Sequence, residues 1–484
     1  MAKSKLLFDT NDWTFDRLRR AEDAIAKIAF EELHLDVYPN QIEIIGSDQM
    51  LDAYSSNGLP MMYNHWSFGK HFMQQAHSYH KGYSGLAYEI VINSNPCISY
   101  LMEENSMTMQ ALVIAHAAYG HNHFFKNNYL FRQWTDAEGL ADYLAFAKSY
   151  ITRCEEQYGP QIVEDTLDAC HAIMDYGVDR YKRPSKLSKK KEMENQKARE
   201  EYVQRQANEL WRTVPSKKKK DKDELKNFPA EPQENIMYFI EKYSPHLEGW
   251  QREILRIVRK IAQYYYPQRQ TKLMNEGWAS FTHYYIMNRL WEKGMLSDGN
   301  YLEFIHSHSS VLYQRQYSSK HYSGFNPYAL GFAMYTDIRR MCENPTDEDR
   351  EYFPHIAGEP WLETCLDAVK NYRDESFISQ FLSPEVIRKW RLFEITNNVS
   401  DSHVTISSIQ NATGYNAVRQ TLSQQYSTTS HQADIQIVNA NLKGNRELKL
   451  KYTSVNSEAL NNHTATVLQH IEFLWGYPVS IEQA

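Results

Sequence analysis

The sequence predicts a mainly α-helical protein with a small β-sheet, an α+β architecture. Apolar residues recur at three- and four-residue intervals through most of its 484 residues, the spacing of a buried helix face. Alternating β-branched patterns are confined to two short runs before residue 94 and to the segment after Glu394. Hydrophobic residues make up 42% and charged residues 23%, a balance suited to folded domains with sizeable cores.

Residues 13–33 place Leu18, Ala21, Ile25, Ile28 and Ala29 near helical spacing, which predicts an opening amphipathic helix. The runs QIEIIG (41–46) and LAYEIVIN (86–93) read as strands, the second closed by Asn95-Pro96. Between them YNHWSFGKHF (63–72) reads as an aromatic loop. Helical spacing follows over Met107–Phe125, Asp136–Tyr158 and Pro160–Asp175. It resumes over Asn235–Tyr243, Trp250–Tyr265, Glu276–Lys293, Tyr328–Cys342 and Trp361–Asn371. After Glu394, the runs HVTISSI (403–409), ADIQIVNA (433–440) and ELKLKYT (447–453) read as strands. They lie between a Gln-rich helix and a closing helix over 459–475. The organisation expected is a strand-plus-helix segment (1–181), a basic insertion (182–230), a helical continuation of the first domain (231–393) and a small α+β domain (394–484).

The insertion stands out by charge. Residues 182–226 hold 16 Lys/Arg against 8 Asp/Glu and the run KKKK at 217–220, whereas the whole chain has a net charge of −7. Such a block suits a solvated helix or a disordered insertion, and less often a docking surface for acidic partners, while the overall balance gives no case for nucleic acid or an anionic membrane. The five cysteines lack CxxC spacing and suit buried free thiols in a reducing compartment. No signal-peptide core and no apolar run of about 18 residues is present, so a cytoplasmic protein without a membrane span is expected.

Chemistry concentrates in AHAAYGHNHFF (115–125), where three histidines fall within one helical pattern. Imidazole is a common ligand of zinc and other divalent metals. On a regular helix His116 and His121, five residues apart, diverge by about 140°. A π-bulge near Tyr119–Gly120 would realign them, with Gly120 supplying backbone freedom. His116 and His123 share a face, but about 10.5 Å of rise separates them. His123 therefore suits a residue supporting the ligands or a ligand to a second ion. A later helix, NEGWASFTHYY (275–285), puts Glu276, Ser280 and His283 on one face. Glu276 supplies the carboxylate that a two-histidine zinc site needs as a third ligand, leaving one position for water. His283 is either a support for the ligands or a fourth ligand. His65, Glu89 and His171 are candidates to line the same cavity.

The phrases YNHWSFGK (63–70), AYEIVINSNPCISYL (87–101), AHAAYGHNHFFKNN (115–128), ADYLAFAKSYI (141–151), NEGWASFTH (275–283) and NPYALGF (326–332) resemble the stage V sporulation protein R (SpoVR) family over nearly the whole chain. The resemblance implies a link to spore cortex formation or stress response, with a serine protein kinase and a von Willebrand-type protein as partners. The order of strand, edge segment, histidine helix and EGWA helix also resembles the zincin metallopeptidases. Ala117 occupies the place where those enzymes carry the glutamate that activates metal-bound water. Hydrolysis would then need another base, for which Glu104 and Asp142 are the candidates. Two functions are expected in consequence: a zinc-dependent hydrolase of amide or peptide bonds, such as those of cell-wall precursors, or a non-catalytic scaffold for a kinase system.

Overall fold

The computed structural model describes residues 6–56, 58–59, 61–81, 88–181, 194, 228–229, 231–316, 319–320, 322–392, 395–396, 405–406, 412–427, 433–442, 444–453, 460 and 463–483. Apart from Glu194, Phe228 and Pro229, the basic insertion lies outside them, as does most of the strand expected over 403–409. The chain is mainly helical with small sheets and forms two compact units, one of residues 1–150 and 264–431, the other of 151–263 and 432–484.

In the first unit, helix α1 (Phe15–Glu31) is capped by Thr14, whose side chain accepts from Arg17 N–H, and buries Leu18, Ala21, Ile25, Ile28 and Ala29. These are the residues its apolar spacing singles out. A three-stranded sheet follows from β1 (Asn40–Ile45), β2 (Glu89–Ile92) and β3 (Cys97–Met102), in the order β1-β3-β2. The central strand β3 pairs parallel with β1 and antiparallel with β2. Its sequence shows no strand signal because CISYLM has no regular alternation of apolar and polar residues. Between β1 and β2 stand α2 (Ser47–Ser55) and α3 (Trp66–His80). The second corrects the expected aromatic loop. His65 caps α3, its Nδ1 accepting from Ser67 N–H, and aromatic residues spread around the helix obscure its period.

Helix α4 (Met107–Ile114) runs into a π-helical segment (Ala115–His121) and on into α5 (Asn122–Asn127). Helix α6 (Lys272–Glu292) crosses the π segment, and α7 (Asp298–Val311) and α8 (Pro327–Glu343) pack on α6. Phe124, Trp278, Tyr335 and Phe377 lie wholly inside the resulting core. The start of α6 is fixed by buried Asp374, whose carboxylate accepts from Leu273 and Met274 N–H at 2.9 Å each. This satisfies two of the unpaired donors of a helix N-terminus.

In the second unit, strands Asp434–Ala440 and Leu448–Thr453 pair antiparallel, and Val479–Gln483 adds parallel to the latter after the crossover helix Thr464–Trp475. Buried Glu241 draws Lys242, Arg256 and Arg259 around it. All five cysteines are buried. Among the described residues, no helix is long and apolar enough to cross a membrane.

Candidate metal centre

A π-helical turn closes hydrogen bonds from i to i+5, so the segment Ala115–His121 stacks His116 and His121, which a regular helix would splay apart. Their perpendicular rings are 4.6 Å apart between centroids, and both residues are buried. Gly120 allows α6 to approach: a Cβ there would lie 2.6 Å from the Ala279 Cα. That approach presents Asn275, Glu276 and His283 to the two imidazoles. From the other side, the sheet edge β2 presents Glu89.

The Nε2 of His116 lies 3.2 Å from Glu89 Oε1 and 3.8 Å from Glu276 Oε2, and the Nε2 of His121 lies 3.4 Å from the same Glu276 oxygen. Donors arranged tetrahedrally around an ion at about 2.0–2.1 Å are separated by about 3.3 Å. The observed distances bracket that edge and exceed the 2.7–2.9 Å usual for a charge-assisted hydrogen bond. Among the described residues no donor meets buried Glu89 Oε2 or Glu276 Oε2 at full hydrogen-bond geometry, which leaves acceptor capacity for a cation. One ligand atom each from Glu89, His116 and His121 falls within 4.8 Å of the others. The donor set of two imidazole nitrogens and two carboxylates therefore fits a divalent metal.

Ring orientation agrees with ligation. His121 Nδ1 is 2.9 Å from Asn275 Oδ1; an amide oxygen only accepts, so Nδ1 carries a proton and Nε2 is the nitrogen that faces Glu276. Burial opposes charge on His121, but Glu276 and Glu89 outweigh it and raise its pKa. Burial likewise opposes the Glu276 carboxylate, yet His116 and His121 hold its pKa far below the usual range. For Glu89 burial prevails and pushes the carboxyl up. Tyr328, on α8, stacks over His116 with 6.3 Å between ring centroids. The charge of Glu276, then burial, drives its phenol well above the usual value.

The structure brings together His116, His121, Glu276, Glu89 and His283, whose Nδ1 is 2.9 Å from His116 Nδ1. It turns His123 elsewhere: the His123 Nδ1 lies 3.1 Å from both Asp36 N and Asp36 O, and burial pushes its pKa down to about 4. His65 is occupied at the α3 cap, and His171 ends the helix Pro160–Ala172 of the second unit. Glu104 and Asp142 are exposed. Sequence reasoning missed Asn275, His308 and Tyr328. Asn275 and Tyr328 lie inside the phrases NEGWASFTH and NPYALGF, but an amide and a phenol carry no ligand spacing. His308 stands on α7, outside any expected element.

By fold and site, this is a helical α+β protein with a buried cluster of imidazoles and carboxylates. It matches the family described as SpoVR like protein over residues 12–431 and the SpoVR-like C-terminal domain over 433–484. It is 56% identical over 481 residues to "Uncharacterized protein YcgB" of Escherichia coli (strain K12), covering 99% of this chain and 94% of that protein. No solved structure matches it. The chain belongs to the SpoVR family.

Proposed function

We propose that the protein holds one divalent transition metal, zinc by its mixed nitrogen and oxygen donors, on His116, His121 and Glu276, and acts as a hydrolase of amide or peptide bonds. The observation that carries this reading is the convergence of the two Nε2 atoms on one Glu276 oxygen at 3.8 and 3.4 Å, with the Glu89 carboxylate 3.2 Å from the first of them, close to the edge lengths of a coordination shell. A bound ion supplies Lewis acidity for a carbonyl and lowers the pKa of a water. Glu89 stands where Ala117 leaves a deficit: its carboxylate faces the same imidazole from β2, and Oε2 is available to take a proton. Glu104 and Asp142, being exposed, are weaker bases for this site. An antiparallel edge strand, a histidine helix and a later glutamate helix in that order support the zincin-like layout.

Ala117 favours a second reading, a metal-holding scaffold for a serine protein kinase and a von Willebrand-type partner. Metal analysis of protein purified without a histidine tag tests the shared claim, with about one ion per chain expected for a single shell. Failure to retain any divalent metal after reconstitution overturns it. Cleavage of amide substrates by the loaded protein, abolished in Glu89→Gln, then favours the hydrolase over the scaffold.

A further inference from the structure

His116 has no amide acceptor like the one that fixes His121. Its Nδ1 meets His283 Nδ1 at 2.9 Å, and His283 Nε2 meets His308 Nδ1 at 2.7 Å. The three residues are 4%, 2% and 5% exposed, so the row of rings is sealed from bulk water. A charge on rings so deeply buried is unfavourable, and each nitrogen–nitrogen contact needs one donor and one acceptor, so the row is a chain of neutral imidazoles.

A neutral imidazole carries one N–H, so one nitrogen donates and the other accepts. The row consequently has only two arrangements. In one, His116 Nδ1–H donates to His283 Nδ1, His283 Nε2–H donates to His308 Nδ1, and His116 Nε2 keeps its lone pair. In the other, His308 Nδ1–H donates to His283 Nε2, His283 Nδ1–H donates to His116 Nδ1, and the His116 proton is forced onto Nε2. There it points at Glu89 and cannot bind a metal. The direction of the row is thus equivalent to the ability of His116 to ligate.

We propose that His308, acting through His283, is the positioning residue that holds His116 in its ligating tautomer. The inference rests on the metal reading above. His308 is suited to the task because its ring is clamped: it stacks on Tyr284 with 4.7 Å between centroids and touches Phe332 at 4.9 Å and Phe304 at 5.8 Å. These contacts keep Nδ1 aimed inward at His283. When that nitrogen accepts, the first arrangement is set, as a carboxylate or carbonyl sets it behind many metal-binding histidines.

Packing and tautomer control predict opposite rankings of substitutions at 308. His308→Asn keeps an acceptor oxygen near the place of Nδ1 but loses the ring. His308→Leu and His308→Phe keep apolar volume, and Phe keeps the stack on Tyr284, but neither can accept. Zinc titration into the metal-free full chain should give an affinity for His308→Asn within a few-fold of wild type. His308→Leu and His308→Phe should each lose about 10–100-fold, the size of effect expected for an outer residue behind a ligand. In zinc-loaded protein labelled with 15N-histidine, His116 should carry its proton on Nδ1. Leu or Phe binding zinc as well as Asn overturns the inference and leaves the metal reading standing, whereas a His116 proton on Nε2 in the loaded protein removes His116 as a ligand and overturns both. If one apolar variant does not fold, the other decides the ranking. A wild type that binds no zinc overturns the metal reading itself.

Discussion

Gly277 on α6 lies directly against Gly331 on α8, so that a Cβ on Gly277 would sit 2.5 Å from the Gly331 Cα. Neither backbone can retreat without moving its helix. Gly277 is next to Glu276 and Gly331 is three residues from Tyr328, so this crossing also sets the site. Gly277→Ala and Gly331→Ala should each cost about 1–3 kcal/mol of stability, the range for overpacked cores, and weaken zinc binding in parallel. Gly69→Ala on α3, where no described atom lies within 4 Å of the new Cβ, should leave zinc binding within error and raise stability by at most about 0.5–1 kcal/mol. Chemical denaturation and zinc titration of the three variants check the contrast.

His123 supplies a second contrast within the histidine helix. Its Nδ1 is engaged by the backbone of Asp36, and its ring rests 5.7 Å from Trp278 between centroids. His123→Ala should therefore destabilise the fold by about 1–3 kcal/mol, for a lost buried hydrogen bond and packing, while zinc affinity changes by less than about threefold. A loss of affinity comparable to that of His116→Ala would make His123 a ligand after all.

The electrostatics give a pH dependence of definite sign. In the metal-free protein His121 has a raised pKa because Glu276 and Glu89 outweigh its burial, so zinc must displace its proton. Affinity should rise by about tenfold per pH unit for one displaced proton below that raised pKa and level off above it. Stability of the metal-free protein runs the other way. The ion-paired His121 contributes fully below its unfolded pKa of about 6.5, and the contribution is lost as pH rises through the folded value. Across that window the melting temperature should fall without zinc and stay nearly level with it, because neither the loaded nor the unfolded His121 carries the extra proton. Calorimetry in buffers of different ionisation enthalpy, with thermal scans of both forms, measures the two trends.

How far the sequence discloses this site depends on how local each signal is. Helix α1 was legible because its buried residues recur at a fixed interval, and the helix Trp361–Asn371 coincides with its expected span. The π turn was legible because His116, Gly120 and His121 make sense together only if the helix gains a residue there. Strand β3 was not, since CISYLM has no regular alternation of apolar and polar residues to display. Asn275 and His308 were not, since their importance lies in which nitrogen of a distant ring they face. Glu89 was marked only as a cavity residue. Its closeness to His116 depends on the sheet edge β2 meeting the π segment, a long-range pairing that sequence spacing does not encode.

The convergence of His116, His121 and Glu276 on one ion is most directly measured by isothermal titration of zinc into metal-free wild type and into His116→Ala, His121→Ala and Glu276→Ala, each verified as folded by circular dichroism. The geometry predicts one tight site per chain in wild type and loss of that site in all three variants, because a shell of three protein ligands does not survive removal of one. Wild-type affinity retained by both His116→Ala and Glu276→Ala, with the fold intact, would contradict the account.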